Sequence, residues 1–253
     1  MAVRKDGPLV LAPRPAQINA GDAMHPLDRP VWSALTSRQA YLALGEKERF
    51  LRFPADIEPF GATRDNSGEQ LAALAGLMPL DGHVALAEVA RLAAPPGFIS
   101  MISATILQMT AARLDPPGDS LEVVSLSEAD APEMRALAEL TQPGPFHART
   151  HQLGGFVGVR ESSRLVAMAG ERLKAPGFTE ISAVCTHPDA RGRGLAAALM
   201  RRVAAGIVAR GEELFLHVYP HNKNAIALYE KLGFRHRADI QLNVLRRLQP
   251  GES

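Results

Sequence analysis

TEISAVCTHPDARGRGLAAALMRRVAAGIVA, residues 179–209, is the stretch that decides the fold. It begins as a strand, passes through a turn that contains Gly192 and Gly194, and continues as an Ala/Leu-rich helix from Leu195. Glycine permits backbone conformations closed to other residues and a close approach of a ligand to the main chain. A lone Gly-x-Gly is more often an ordinary connection, but a strand, this turn and a helix N-terminus in this order favour a phosphate site.

The composition is that of a globular chain without a strong charge. The 253 residues are 46% hydrophobic and carry a net charge of +1, which allows one or two domains and indicates neither nucleic acid nor an anionic membrane as partner. The single cysteine, Cys185, excludes an internal disulfide framework and fits a reducing cytoplasm. Neither a signal peptide nor a membrane-spanning run is recognised. We therefore expect a cytoplasmic protein, monomeric or homodimeric.

Proline and glycine between residues 114 and 120 indicate a boundary between two domains. We expect a smaller N-terminal α/β domain at residues 1–115 and a second domain at residues 120–250. In the first, the patterns predict an extended arm at residues 1–30, helices at residues 31–44 and 69–77, and two strands within residues 82–109. In the second, they predict the order strand, helix, three strands, helix, strand, helix, strand, with the last strand at residues 241–245.

Two motifs of the second domain resemble those of the GNAT acyltransferase superfamily. RGRGLA at residues 191–196 matches the signature Arg/Gln-x-x-Gly-x-Gly/Ala, and NKNAIALYEKLGF at residues 222–234 resembles the segment that closes the active site. Residues 167–172 and 180–188 most resemble the FR47-like branch. The resemblance covers about residues 120–247 and implies the GNAT fold, an α/β (α+β) fold whose central, mixed, mostly antiparallel sheet is flanked by helices.

The N-terminal half lacks the signature, although its two strands are compatible with a degenerate copy of the same fold. No cofactor site is therefore expected there. Loops such as residues 142–152 and this unmatched half are where acceptor specificity is expected.

The resemblance implies acetyl-CoA, or another acyl-CoA, as co-substrate, and direct transfer of the acyl group to an amine. It implies that N–H groups of the turn hold the pyrophosphate and that the pantetheine arm lies between the strands at residues 179–186 and 214–219. The cofactor-binding residues so implied are Val184, Cys185, Thr186, Arg191, Gly192, Arg193, Gly194, Leu195, Ala196, Asn222 and Tyr229.

The resemblance also implies catalytic roles for Tyr229 and Glu180. Tyr229 matches the residue that protonates the leaving thiolate, although its ring could simply pack under the sheet. Glu180 matches a carboxylate that acts as general base through water, with Glu171 as the second candidate. Either carboxylate could instead hold an arginine such as Arg172 in place, and the amine could lose its proton to solvent.

Other chemistry finds less support in the sequence. Alternation along the strand predicts Cys185 on the face opposite Glu180 and Val184, a core position that does not suit an acyl-cysteine intermediate. His217 and His221 flank the predicted cofactor site between these two strands, but a lone histidine at a strand edge more often has a structural role. No spacing typical of a metal site occurs. A catalytically weak acyl-CoA-binding regulatory module and a scaffold for protein interaction remain alternatives, which the two complete motifs and Tyr229 disfavour.

Overall fold

The computed structural model describes residues 24–78, 82–116 and 121–249. Most of the predicted N-terminal arm lies outside these ranges. The strands are β1 Leu44–Glu46, β2 Phe50–Arg52, β3 Gly61–Thr63, β4 His83–Glu88, β5 Phe98–Ala111, β6 Val124–Leu126, β7 Phe156–Glu161, β8 Arg164–Ala175, β9 Phe178–Thr186, β10 Glu213–Val218 and β11 Arg235–Arg247. The helices are α1 Pro30–Leu35, α2 Gly68–Gly76, α3 Ala131–Thr141, α4 Leu195–Ala209 and α5 Lys223–Leu232.

An eight-stranded sheet with the order β4-β11-β5-β10-β9-β8-β7-β6 forms the centre of the molecule. Only β9 and β10 pair in parallel, and every other neighbouring pair in this sheet is antiparallel. The mixed, mostly antiparallel sheet and the order of elements from β6 to β11 confirm the predicted fold. None of the helices in the described ranges is long and apolar enough to cross a membrane.

The first half of the chain supplies two strands to this central sheet. The predicted strands at residues 82–109 are confirmed as β4 and β5, and β5 lies between β10 and β11. The remaining strands of this half, β1 to β3, form a separate three-stranded sheet. The predicted domain boundary thus falls between β5 and β6, two strands of the same sheet, and the division into two domains stays a prediction.

Two predicted elements have different lengths in the structure. The helix expected at residues 31–44 ends at Leu35, because the buried side chain of Gln39 bonds to the backbone of β8 through Arg172 O at 2.8 Å and Lys174 N at 3.1 Å. The last strand is not confined to residues 241–245 but spans Arg235–Arg247. It pairs with β4 on one side and β5 on the other, and these partners could not be foreseen from the second half alone.

Apolar helix faces cover both sides of the central sheet. On one side α4 buries Leu199, Val203 and Ile207, which recur every fourth residue, and each such side chain stabilises the fold by about 2 kcal/mol. Helices α1 and α3 pack on the other side. The turn before α4 is therefore fixed at the end of β9.

Candidate active site

Strands β9 and β10 pair at one end and then separate. Their parallel register joins residues 213–215 to residues 178–180, and Phe215 opposite Glu180 is its last pair. Beyond this vertex β9 continues to Thr186 and β10 to Val218. The separation leaves main-chain groups of both strands without a ladder partner between them, and a ligand with amide groups can take that place.

A β-bulge interrupts β9 beside the opening. The register with β8 shifts between the pairs Ser182–Gly170 and Cys185–Met168, and Ala183 has a φ of 51°. A bulge adds one residue and so changes which face the following side chains occupy.

Because of the bulge, the predicted alternation of side chains along β9 is only partly right. Val184 packs against the core under α4, whereas Cys185 lies in the core under α3, so these two residues do face opposite sides. Glu180 bonds to His217 on the side away from α4. Glu180 therefore shares a face with Cys185 and not with Val184, contrary to the prediction. Burial raises the pKa of the Cys185 thiol to about 11.

The glycine turn leaves open space in front of the N-terminus of α4. Gly192 and Gly194 have φ values of 77° and 75°, and apart from their immediate chain neighbours no atom lies within 4 Å of a Cβ built on either residue. The N–H of Ala198 donates to the carbonyl of Gly194 at 3.1 Å, so the N–H groups of residues 195–197 precede the first intrahelical bond. Backbone donors and the positive end of the dipole thus face an open space that suits a phosphate.

The two arginines of the turn have partners on neighbouring strands. Arg193 forms an ion pair with Glu161 of β7 at 2.5 Å, and Arg191 Nε donates to the carbonyl of Thr186 at 3.4 Å. Both side chains are exposed, and an anion would compete with these contacts in water.

A cavity of about 520 Å³ connects the turn with the opening between the strands. Every predicted cofactor-binding residue lines it: Val184, Cys185, Thr186, Arg191, Gly192, Arg193, Gly194, Leu195, Ala196, Asn222 and Tyr229. The sequence did not reveal a third side formed by Thr141, Gln142 and Pro143 at the end of α3. The only indication of this side in the sequence was the loop at residues 142–152, which was predicted to contribute to acceptor specificity.

Helix α5 places Tyr229 in this cavity. Asn222 caps the helix by accepting a bond from the N–H of Ala225 at 3.2 Å, and Gly233 ends it with a φ of 106°. The Tyr229 ring packs edge-on against Phe234, and its hydroxyl has no hydrogen-bond partner among the described residues. Burial raises the pKa of Tyr229 to about 12, so the phenol stays protonated at neutral pH and can donate.

Glu180 lies at the vertex in a buried polar row that crosses the sheet. Its carboxylate accepts two bonds from Arg172, at 2.9 and 2.7 Å, and lies 2.8 Å from Nδ1 of His217. Nε2 of His217 lies 3.1 Å from Nε2 of Gln108, which fits a ring protonated on Nδ1 that accepts from the amide. Gln108 Oε1 in turn accepts from Arg237 at 2.8 Å. We call Arg172, Glu180, His217 and Gln108 the vertex row.

The contacts of both candidate bases are those of carboxylates that hold cations. Burial alone would raise the pKa of Glu180, but Arg172 and His217 outweigh it and lower the pKa to about 2. Glu171 is paired with Arg210 at 2.8 Å and with Lys174 at 2.9 Å. Within the described ranges, no group of three His, Cys, Asp or Glu side chains is placed to hold a metal ion.

Comparisons with known proteins agree with this geometry. The family model described as FR47-like protein matches residues 156–242. A protein of the GNAT family from Novosphingobium aromaticivorans DSM 12444 is 43% identical over 89% of this chain and 100% of its own, with a TM-score of 0.83. A GCN5-related N-acetyltransferase from Kribbella flavida shares the fold at 18% identity over 85% and 95% of the two chains, with a TM-score of 0.57. The chain therefore belongs to the GNAT acetyltransferase superfamily and contains an FR47-like domain.

Proposed function

We propose that the protein is an N-acetyltransferase that moves an acetyl group from acetyl-CoA directly to an amine acceptor. The observation that carries this proposal is the cavity that joins the glycine turn to the opening between β9 and β10. A nucleotide pyrophosphate suits the turn, and an amide-containing arm suits the opening. A cytoplasmic location fits the proposal and the one buried, reduced Cys185.

The residues of the cavity divide into those that hold the donor and those that assist the reaction. The N–H groups of residues 192–197 would bind the pyrophosphate, and the main chain around Val184 and Thr186 would pair with the pantetheine amides. An N–H near the bulge would stabilise the negative oxygen that forms on the thioester carbonyl.

Tyr229 would give its proton to the thiolate that leaves. Its hydroxyl is protonated at neutral pH and is not engaged by another described side chain, so the phenol is available as a donor. Glu180 would act by positioning, since a carboxylate with a pKa of about 2 takes up a proton weakly at neutral pH. It orients His217 and Arg172 at the vertex.

The substitution Gly194→Glu tests the donor site. It adds bulk and negative charge where the phosphate would lie and imposes a side chain on a φ of 75°, so we expect acetyl-CoA affinity to fall by about 10²-fold or more in calorimetry. Gly206→Glu makes the same change at an exposed position within α4, the helix that follows Gly194, and should leave the affinity within about twofold. Equal affinities of Gly194→Glu and wild type would refute the assignment.

An acyl-CoA-binding regulatory module without turnover is the second candidate, because Glu180 is already held in an ion pair. Release of free thiol from acetyl-CoA across a panel of primary amines distinguishes the two. An enzyme would release free thiol at a rate that rises with the amine concentration. A regulatory module would bind acetyl-CoA without releasing thiol.

A further inference from the structure

Gln142 has a left-handed backbone that its sequence does not favour. It follows α3 with φ and ψ of 49° and 56°, and its N–H donates to the carbonyl of Ala138 at 2.7 Å. Glycine is the usual residue in this conformation after a helix, because a Cβ makes the conformation unfavourable. The next residue is Pro143, which favours an extended conformation in the residue before it. A glutamine at this position therefore costs the folded chain conformational energy.

The loop that follows Gln142 is anchored to the N-terminal half of the chain. The hydroxyl of the buried Thr150 accepts from the N–H of His147 at 2.7 Å and donates to the carbonyl of Ile57 at 2.6 Å. Gln142 thus lies between a helix end and a fixed loop, which together impose its conformation. Non-glycine residues held in this way are concentrated at ligand sites, where the side chain has a use that a glycine could not supply.

The side chain of Gln142 lies beside the route proposed for the pantetheine arm. Gln142 lines the same cavity of about 520 Å³ as residues 184–186 of β9. Helix α3 packs on this part of β9, and the side chain of Thr141 interacts with the thiol of Cys185. Gln142 is exposed, and its side-chain amide forms no hydrogen bond with another described residue. A ligand in the cavity therefore has access to this amide.

The two neighbours of Gln142 in this wall of the cavity are less suited to bind a ligand through a side chain. The Thr141 hydroxyl already donates to the carbonyl of Leu137 at 2.6 Å, and Pro143 has neither a polar side chain nor an N–H. A glycine in place of Gln142 would relieve the left-handed backbone but would leave the wall without its available amide. The glutamine is therefore explained by a contact with the ligand rather than by the fold.

We propose that Gln142 is a donor-binding residue whose side-chain amide forms a hydrogen bond with an amide of the pantetheine arm of acetyl-CoA. The inference rests on the proposed function, because that function places the arm between β9 and β10. A primary amide both donates and accepts, so it can pair with the N–H or the carbonyl of a pantetheine amide. The main chain of β9 binds the arm from the sheet, and Gln142 binds it from the end of α3.

The variant Gln142→Gly separates binding from stability. It relieves the left-handed strain, so we expect the melting temperature to rise by about 1–3 °C. It also removes the amide, so the dissociation constant of acetyl-CoA should rise by about fivefold in calorimetry, as for the loss of one hydrogen bond. Affinity for adenosine 3′-phosphate 5′-diphosphate, the nucleotide part of CoA without the pantetheine arm, should stay within about twofold.

Ser163→Gly is the matched control. Ser163 is exposed, has a φ of 68° and is not among the residues that line the cavity, so the same backbone change should leave acetyl-CoA affinity within about twofold. Gln142→Asn tests whether a looser wall explains a loss of affinity. Asparagine tolerates the left-handed conformation but has a side chain one methylene shorter, so it should weaken acetyl-CoA binding as Gln142→Gly does.

Three results would overturn the role of Gln142. They are unchanged acetyl-CoA affinity in Gln142→Gly or in Gln142→Asn, an equal loss of affinity for the nucleotide part alone, and a melting temperature of Gln142→Gly clearly below wild type. The last would show that the fold itself requires the glutamine. Failure of wild type to bind acetyl-CoA would contradict the proposed function and this inference with it, and the wild-type titration distinguishes that outcome from the other three.

Discussion

The glycine turn and the vertex row differ in how the chain builds them. The turn is made by consecutive residues, 191–197, and its open space and backbone donors follow from two glycines and a helix start. The vertex row is made by side chains from β5, β8, β9 and β10, and its bond between Gln108 and His217 joins residues 109 positions apart. The comparison teaches that the glycine turn is determined by local sequence, whereas the vertex row depends on how distant segments of the chain meet.

The N-terminal half is what makes the vertex row possible. Its strand β5 lies next to β10 and brings Gln108 to His217, and its segment around Glu58 lies over Arg172. The half that lacks the cofactor signature thus contributes side chains to the surroundings of Glu180.

The largest effect on stability is expected for Arg172→Met. The substitution leaves the fully buried carboxylate of Glu180 without its guanidinium, and loss of one member of a buried ion pair costs about 3–5 kcal/mol of unfolding free energy. Denaturant unfolding of the variant and wild type measures this difference. The double variant Arg172→Met/Glu180→Gln should recover much of the loss, and an Arg172→Met protein as stable as wild type would show that the vertex row is not a coupled unit.

Glu58 should make the stability of the protein fall as the pH rises. Its carboxylate is buried and accepts no hydrogen bond within the described part of the chain. Burial raises its pKa in the folded chain to about 8, above the ordinary value of 4.5, so the folded state binds the proton more tightly than the unfolded state. The resulting stability is fully present below about pH 4.5 and is lost as the pH approaches 8. Between pH 5 and 9 we expect wild type to lose about 4 kcal/mol relative to Glu58→Gln. Parallel pH profiles of the two proteins would contradict the buried, unpaired state of Glu58.

Tyr229→Phe should lower turnover by about 10²-fold while acetyl-CoA affinity is kept, because only the proton donor is removed. Steady-state thiol release and calorimetry measure the two quantities. Tyr219→Phe is the matched control, since Tyr219 is exposed and stacks on His221. Full activity of Tyr229→Phe would remove the phenol from the mechanism.

The smallest effect is expected for Cys185→Ala. Its thiol is buried and its pKa is raised to about 11, so it is neither ionised nor exposed enough to act as a nucleophile. Turnover should stay within about twofold of wild type, with a loss of about 1 kcal/mol in stability. If mass spectrometry detects acetylation of wild type that is absent in this variant, the result would instead support an acyl-cysteine intermediate.

Local patterns were sufficient to predict the glycine turn, helix α5 and the order of elements from β6 onward. A helix cap, a glycine or the spacing of apolar residues determines structure within a few residues of itself. The bulge at Ala183 was missed because nothing in its sequence marks a residue with positive φ. The prediction that Glu180 and Cys185 lie on opposite faces of β9 was therefore wrong. The position of β5 and the partners of Glu180 depend on pairings between residues far apart in the chain, which carry no local signal.

A structure of the full chain bound to CoA tests the central claim most directly. We predict that the pyrophosphate oxygens lie within hydrogen-bond distance, about 3 Å, of the N–H groups of residues 192–197, with the thiol end between β9 and β10 beside Tyr229. A pyrophosphate bound elsewhere, or a pantetheine arm outside the opening between these strands, would contradict the account.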